Sequence, residues 1–178
     1  YLEHDPVAPL NVYGDSKASA EGTVRAALSS ALIVRTSAFF SPWDRYNFIT
    51  LALQTLARGE RFRAAEDWII SPTYLPELID ACLDLLIDGE EGLWHLANRG
   101  AVSWAALARQ AAARFGLDPS LVEGVSGSEL RLPARRPAYS ALESARGSLL
   151  SSLDQALERY HRELLHRPDA AGVAALSV

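Results

Sequence analysis

Tyr13-Gly14-Asp15-Ser16-Lys17, followed after a helix-favouring stretch by Ala31-Leu32-Ile33-Val34-Arg35-Thr36, is the part of the chain whose reading decides the fold. From Tyr13 to about Ser30 the residues favour helix, through Lys17, Ala18, Ala20, Glu21, Val24, Ala27 and Leu28. The short, apolar, β-branched run that follows reads as a buried strand of a parallel sheet. A helix leading into such a strand is half of an α/β crossover. Within the helix, Tyr13 and Lys17 are four residues apart and so share one face. That sets a phenol beside an ammonium. The positive charge favours the phenolate, and a phenol so tuned can give a proton to a carbonyl oxygen while hydride arrives at the carbon. The lysine can also bond a ribose hydroxyl. Without context such a pair is an ordinary surface pairing. Here Lys17 is the only lysine among 17 basic residues.

Further along, the chain alternates helices and short strands. Residues 1–12 read as loop. Residues 37–46 form a loop rich in aromatics (Phe39, Phe40, Trp43, Tyr46). Asn47 caps a predicted helix from Phe48 to Arg58, stopped by Gly59. A weak strand covers Phe62 to Ala65, and Ser71-Pro72-Thr73 reads as a structural turn. A helix opens at Pro76 and Glu77 and runs to Ile87, stopped by Gly89. Gly92 to Ala97 is a strand. Ser103 caps a helix from Trp104 to Phe115, ended by Gly116. Residues 117–142 look irregular, a last amphipathic helix covers about Leu149 to Leu165, and the tail from Pro168 onward reads as frayed.

Composition narrows the function. The chain has 178 residues with a net charge of −5, which disfavours a general binder of nucleic acid or anionic membrane. No apolar run has the length of a membrane span. One cysteine, Cys82, leaves no intramolecular disulfide framework and no cysteine-rich metal site; no metal is expected, and a cytoplasmic setting fits. The chain opens at Tyr1, lacks methionine and holds no glycine-rich dinucleotide turn. It therefore reads as a piece of a longer protein. Alone it is expected to bind a dinucleotide weakly or not at all, and to self-associate through an open sheet edge beside Leu32-Ile33-Val34.

The run Tyr1-Leu2-Glu3-His4-Asp5-Pro6, then Pro9-Leu10-Asn11-Val12-Tyr13-Gly14-Asp15-Ser16-Lys17 and Glu21, resembles the extended short-chain dehydrogenase/reductases. Within them it is most similar to the dTDP-4-dehydrorhamnose reductases. The likeness continues in order through Leu32-Ile33-Val34-Arg35-Thr36-Ser37, Asn47-Phe48, and Asp67 with Ser71-Pro72-Thr73-Tyr74, where Trp68 replaces a glutamine. It extends through Gly92-Leu93-Trp94-His95-Leu96, Ser103-Trp104, Pro133-Ala134-Arg135-Arg136-Pro137 and Ser140-Ala141-Leu142. The resemblance implies an α/β fold, the C-terminal portion of such a reductase: a remnant of a Rossmann-type parallel sheet plus a smaller α/β substrate-binding lobe. It implies NADPH- or NADH-dependent reduction of a nucleotide-linked 4-keto sugar, with Tyr13 as proton donor and Lys17 supporting it and holding the nicotinamide ribose. The family's third catalytic residue, a Ser or Thr, and its glycine-rich loop lie upstream of Tyr1. Where the family has a tryptophan after the strand, this chain has Ala38, with Phe39 and Trp43 near to fill the space.

The resemblance also sets the expected division. Residues 1–39 would be the catalytic helix and strand, 40–142 mainly the substrate lobe, 143–167 a C-terminal helix and 168–178 a tail. Expected substrate contacts are Asn47, Arg136 and Phe39, with a nucleotide sugar as partner and a homodimer allowed. Each residue also has a plainer reading. Asn47 is equally a helix cap, and Arg135 and Arg136, which could clamp a diphosphate bidentately, are equally a surface pair. His95, Trp94 and Trp104 read as core. Cys82 falls with Leu78, Leu85 and Leu86 on a buried helix face and is expected to be inert. Two other functions fit the motifs: an epimerase or dehydratase of another nucleotide sugar, and a non-catalytic regulatory subunit such as the beta subunit of methionine adenosyltransferase. Ala38 keeps the last alive; Tyr13 and Lys17 argue against it.

Overall fold

A computed structural model describes residues 1–166, so the expected tail lies outside the described residues. The first helix, α1, spans Val12–Ala27. It starts at Asn11, whose side-chain oxygen accepts the Gly14 N–H at 2.8 Å. Glycine at position 14 suits this tight entry, because a Cβ there would stand 3.3 Å from Pro9 Cβ. A short turn, closed by Ala31 N–H donating to Leu28 O at 3.1 Å, leads into strand β1, Leu32–Arg35.

Among the described residues, seven more strands, four α-helices and two short 3-10 helices follow. The strands are β2 (Phe39–Phe40), β3 (Phe62–Ala65), β4 (Ile69–Ile70), β5 (Thr73–Tyr74), β6 (Gly92–His95), β7 (Val102–Ser103) and β8 (Val122–Val125). The helices are α2 (Phe48–Ala57), α3 (Leu75–Ile87), α4 (Trp104–Arg114) and α5 (Leu153–Leu165). The strands associate in pairs: β1 with β6, β2 with β5 and β3 with β8 run parallel, and β4 with β7 antiparallel. In the first pair Leu32 faces Gly92 and Arg35 faces His95. The chain therefore returns through α3 and β6 to the sheet it left at β1.

Three apolar clusters hold the elements. Phe40, Ile49, Leu53, Tyr74, Phe115 and Tyr160 belong to the largest, between α2, α4, α5 and the two-residue strands. Ala52, Ala64, Ala105, Ala108 and Ala112 form a second, where small side chains let α2 and α4 lie close. Leu78, Ala81, Leu85, Trp94 and Leu96 form a third, joined by partly buried Leu32, Val34 and Cys82.

Several expectations change. β1 is half-buried along its length rather than buried, since one neighbouring strand covers one of its edges. Leu86 points to solvent, while Cys82 is partly buried and burial pushes its thiol upward. Ser71-Pro72-Thr73, expected as a turn, is buried, with Thr73 in β5. The Ser71 hydroxyl accepts from Leu142 N–H at 3.0 Å, and the Thr36 hydroxyl donates to that of Thr73 at 3.2 Å. The irregular stretch after Gly116 contains β8. The last helix begins at Leu153, behind a capping box of Ser152 and Gln155.

Candidate active site

The crossover from α1 to β1 fixes which end of the sheet is chemically useful. Helix and strand run in opposite directions, so the N-terminus of α1 lies over the C-terminal end of β1. Glu21 locks this alignment: its two oxygens accept from Arg35 Nε at 2.8 Å and Nη2 at 2.7 Å, at the last residue of the strand. Tyr13 precedes Glu21 by two helical turns, roughly 12 Å at 1.5 Å per residue. It thus projects beyond the strand ends, where open α/β sheets take ligands.

Tyr13 is 69% exposed, and no buried residue lies on α1. Lys17 shares its face, with Nζ 5.5 Å from the centre of the phenol ring. Arg136 is exposed in the loop that reaches the same helix end: Asn11 Nδ2 donates to the Arg135 carbonyl at 2.8 Å, tying this loop to the cap of α1. Neither guanidinium, of Arg135 or Arg136, has a partner among the described residues. Sequence reasoning missed Asn11. Its signal was present, an asparagine directly before a helix with a glycine three positions on.

Phe39 leaves the end of β1 just after Ala38, which sits in the left-handed region at φ 47°. The Ala38 carbonyl accepts the Thr73 N–H at 3.1 Å, so this reversal hands the chain from the β1/β6 pair to the β2/β5 pair. Phe40 turns into the core and Phe39 outward.

Asn47 is buried and engaged. Its Oδ1 accepts the Thr50 N–H at 3.0 Å as the cap of α2. Its Nδ2 donates to the carbonyls of Ser41 at 3.0 Å and Asp44 at 2.6 Å, and to the Thr50 hydroxyl at 2.9 Å. A substrate contact through this amide would compete with those bonds.

A second constellation was not foreseen. Glu3 Oε1 accepts from the Ser144 hydroxyl at 2.5 Å and from His95 N–H at 3.0 Å, and Oε2 accepts from Ala145 N–H at 2.9 Å. Burial alone would raise this carboxyl, but the three hydrogen bonds outweigh it and hold Glu3 at about 2. His95 is buried, as expected of a core histidine. Its Nδ1 lies 3.0 Å from the Glu143 carbonyl and can only donate there, leaving Nε2, 3.5 Å from Arg35 Nη1, as the acceptor. His95 also borders a cleft of about 370 Å³ with Tyr1, Ser71, Asn98, Arg99 and Tyr139. A shallower groove of about 550 Å³ lies along Glu3, Asp5, Ala18, Glu21 and Arg25. Neither is lined by Tyr13, Lys17, Phe39, Asn47 or Arg136.

Residues 1–166 match the family model described as the RmlD substrate binding domain. The chain is 35% identical over 150 residues to dTDP-4-dehydrorhamnose reductase of Mycobacterium tuberculosis, covering 84% of this chain and 49% of that protein. It is 32% identical to a probable dTDP-4,6-dihydroxy-2-methyloxan-3-one 4-ketoreductase of Streptomyces antibioticus, covering 80% and 48%. It thus spans about half the length of these relatives. The crystal structure of dTDP-4-dehydrorhamnose reductase from Bacillus anthracis in complex with NADP superposes with a TM-score of 0.85 at 30% identity, over 92% of this chain and 59% of that one.

Proposed function

The chain belongs to the family of the RmlD substrate binding domain, and from that premise we propose that the protein reduces a nucleotide-linked 4-keto sugar, dTDP-4-dehydrorhamnose foremost, with NADPH or NADH. The observation that carries this reading is the Tyr13–Lys17 pair on one exposed helix face, beyond the strand ends, with the Arg135–Arg136 loop tied to the same helix cap.

The residues present fit one end of a dinucleotide. Lys17 offers a donor to the nicotinamide ribose, while these 178 residues hold no glycine-rich turn for the pyrophosphate. A bound reduced nicotinamide supplies the hydride. Tyr13 gives its phenolic proton to the sugar carbonyl oxygen, and the Lys17 ammonium one turn away offsets the charge left on the phenolic oxygen. Arg136, with Arg135, pairs with the diphosphate in the forked geometry of guanidinium and phosphate. Phe39 lines the sugar side. Asn47 acts by fixing the loop that follows Phe39. The substrate lobe is built mainly from residues 40–142. A cytoplasmic location accords with the single cysteine. A homodimer would find apolar surface on the outer faces of α1 and α3, where Val24, Leu83 and Leu86 are exposed, and on Leu28 just past the end of α1.

The test is NADPH oxidation by the protein at its full natural length with dTDP-4-dehydrorhamnose. Tyr13→Phe should lose about 10²–10⁴ in kcat while folding normally. An unchanged rate assigns the proton to another group, and a product epimerised without net oxidation of NADPH removes the reductase reading.

A further inference from the structure

One side chain joins the helix of the proposed proton donor to the loop that carries Arg136. Asn11 uses both of its ends: Oδ1 accepts the Gly14 N–H at 2.8 Å as the cap of α1, and Nδ2 donates to the Arg135 carbonyl at 2.8 Å. Tyr13 stands inside the turn closed by the first bond. The second bond reaches the peptide unit that the Arg136 nitrogen completes. The chain beyond Arg136 is stitched down on two sides. On one side Ile69 N–H donates to the Ala138 carbonyl at 2.8 Å, and Ser140 N–H to the Ile69 carbonyl at 2.9 Å. The buried Ser71 hydroxyl accepts from Leu142 N–H at 3.0 Å and donates to the Leu142 carbonyl at 3.2 Å. On the other side the Tyr1 nitrogen donates to the Ala141 carbonyl at 2.7 Å, and the Tyr1 carbonyl accepts from Glu143 N–H at 2.9 Å. Glu3 holds Ser144 and Ala145. Residues 138–145 thus form an extended strap whose alternate residues bond to opposite neighbours, as in the middle of a sheet. The strap fixes the far end of the Arg135–Arg136 loop, and the Asn11 bond fixes the loop against α1.

We infer that Asn11 is a positioning residue for the reduction: it holds the Arg135–Arg136 loop at a set distance from Tyr13, so that a nucleotide sugar gripped at its diphosphate presents its carbonyl to the phenol. The inference rests on the proposed reductase reading and deepens it. Asparagine suits the position because it can cap and tie at once. Serine and aspartate cap a helix as well as asparagine does. Serine is too short to reach a second partner, and aspartate has no donor to give a carbonyl. The tie acts in two ways. It orders the loop before the diphosphate arrives, which lowers the cost of binding. It also sets the reach from diphosphate to phenol, and a misplacement of about 1 Å can cost on the order of 10²-fold in rate.

In the protein at its full natural length, Asn11→Ser separates the tie from the cap, and Asn11→Ala removes both. Each should lower kcat/KM for dTDP-4-dehydrorhamnose about three- to tenfold, the worth of one hydrogen bond. KM for NADPH should not change. The pH dependence of kcat should keep its midpoint, because the Tyr13–Lys17 pair is untouched. Circular dichroism melts should place Asn11→Ser beside wild type and Asn11→Ala below it. Wild-type kinetics in Asn11→Ser overturn the inference and leave Asn11 a plain cap. A loss that falls on KM for NADPH, or a moved pH midpoint, also overturns it, since Asn11 would then act on α1 itself. Calorimetric titration with thymidine diphosphate keeps the two readings apart. A wild type that oxidises no NADPH removes the reductase reading, and the tie is then judged by binding. Asn11→Ser should weaken thymidine diphosphate by the same three- to tenfold, and equal affinity overturns the tie.

Discussion

Asn47 separates a helix cap, a loop anchor and a substrate ligand by experiment. Replacing it with alanine removes the cap of α2, worth about 1 kcal/mol. It also frees the carbonyls of Ser41 and Asp44 in a buried setting, about 1 kcal/mol for each bond. The sum is about 3 kcal/mol. At a urea dependence of about 2 kcal/mol per molar, the unfolding midpoint should fall by roughly 1.5 M. Asn47→Asp is the sharper perturbation. Aspartate is as good a cap as asparagine, so a simple cap predicts almost no loss. In this structure the second oxygen would replace a nitrogen lying 2.6 Å and 3.0 Å from two carbonyl oxygens. The two bonds donated to carbonyls become repulsions, so the aspartate should cost at least as much as the alanine. Urea unfolding followed by circular dichroism gives both numbers, and the same samples give KM for the nucleotide sugar. The anchor predicts that stability and KM deteriorate together, because the loop that follows Phe39 loosens. Asn47→Asp within 0.5 kcal/mol of wild type would refute the anchoring role, and a raised KM at full stability would return Asn47 to direct contact with substrate.

Other outcomes follow from single contacts. Glu3 is held below its usual range, so its contribution to stability is present above about pH 4.5 and lost as pH falls toward about 2. Urea midpoints of wild type and Glu3→Gln should differ near neutrality and converge in acid; parallel curves would deny Glu3 this role. At Gly127 an added Cβ would overlap the Trp68 indole at Cε2. Gly127→Ala should displace the indole, cost about 1–3 kcal/mol and alter tryptophan fluorescence; an unchanged spectrum and melt would mean the ring is not seated there.

What the sequence determined by itself is local. Asn47 and Ser103 cap the helices that follow them, because an N-cap needs only a short polar side chain two or three residues from the N–H it accepts. Tyr13 and Lys17 share a face because four residues make about one helical turn. The strands β2, β4, β5 and β7 are two residues each, too short for any alternation to register. They exist because a distant partner pairs with them, as Phe39 does with Thr73 and Ile69 with Ser103. The same distance hid the Glu3, His95 and Ser144 cluster, whose members come from both ends of the chain and its middle. Asn47 caps α2 as its sequence position predicts, yet only the folded loop brings two carbonyls onto its amide and so decides what else it can do. The aromatics of residues 39–46 were visible as a composition. Which of them enter the core and which face water is set by packing, with Phe40 buried between Tyr74 and Tyr160 while its neighbours are left outside.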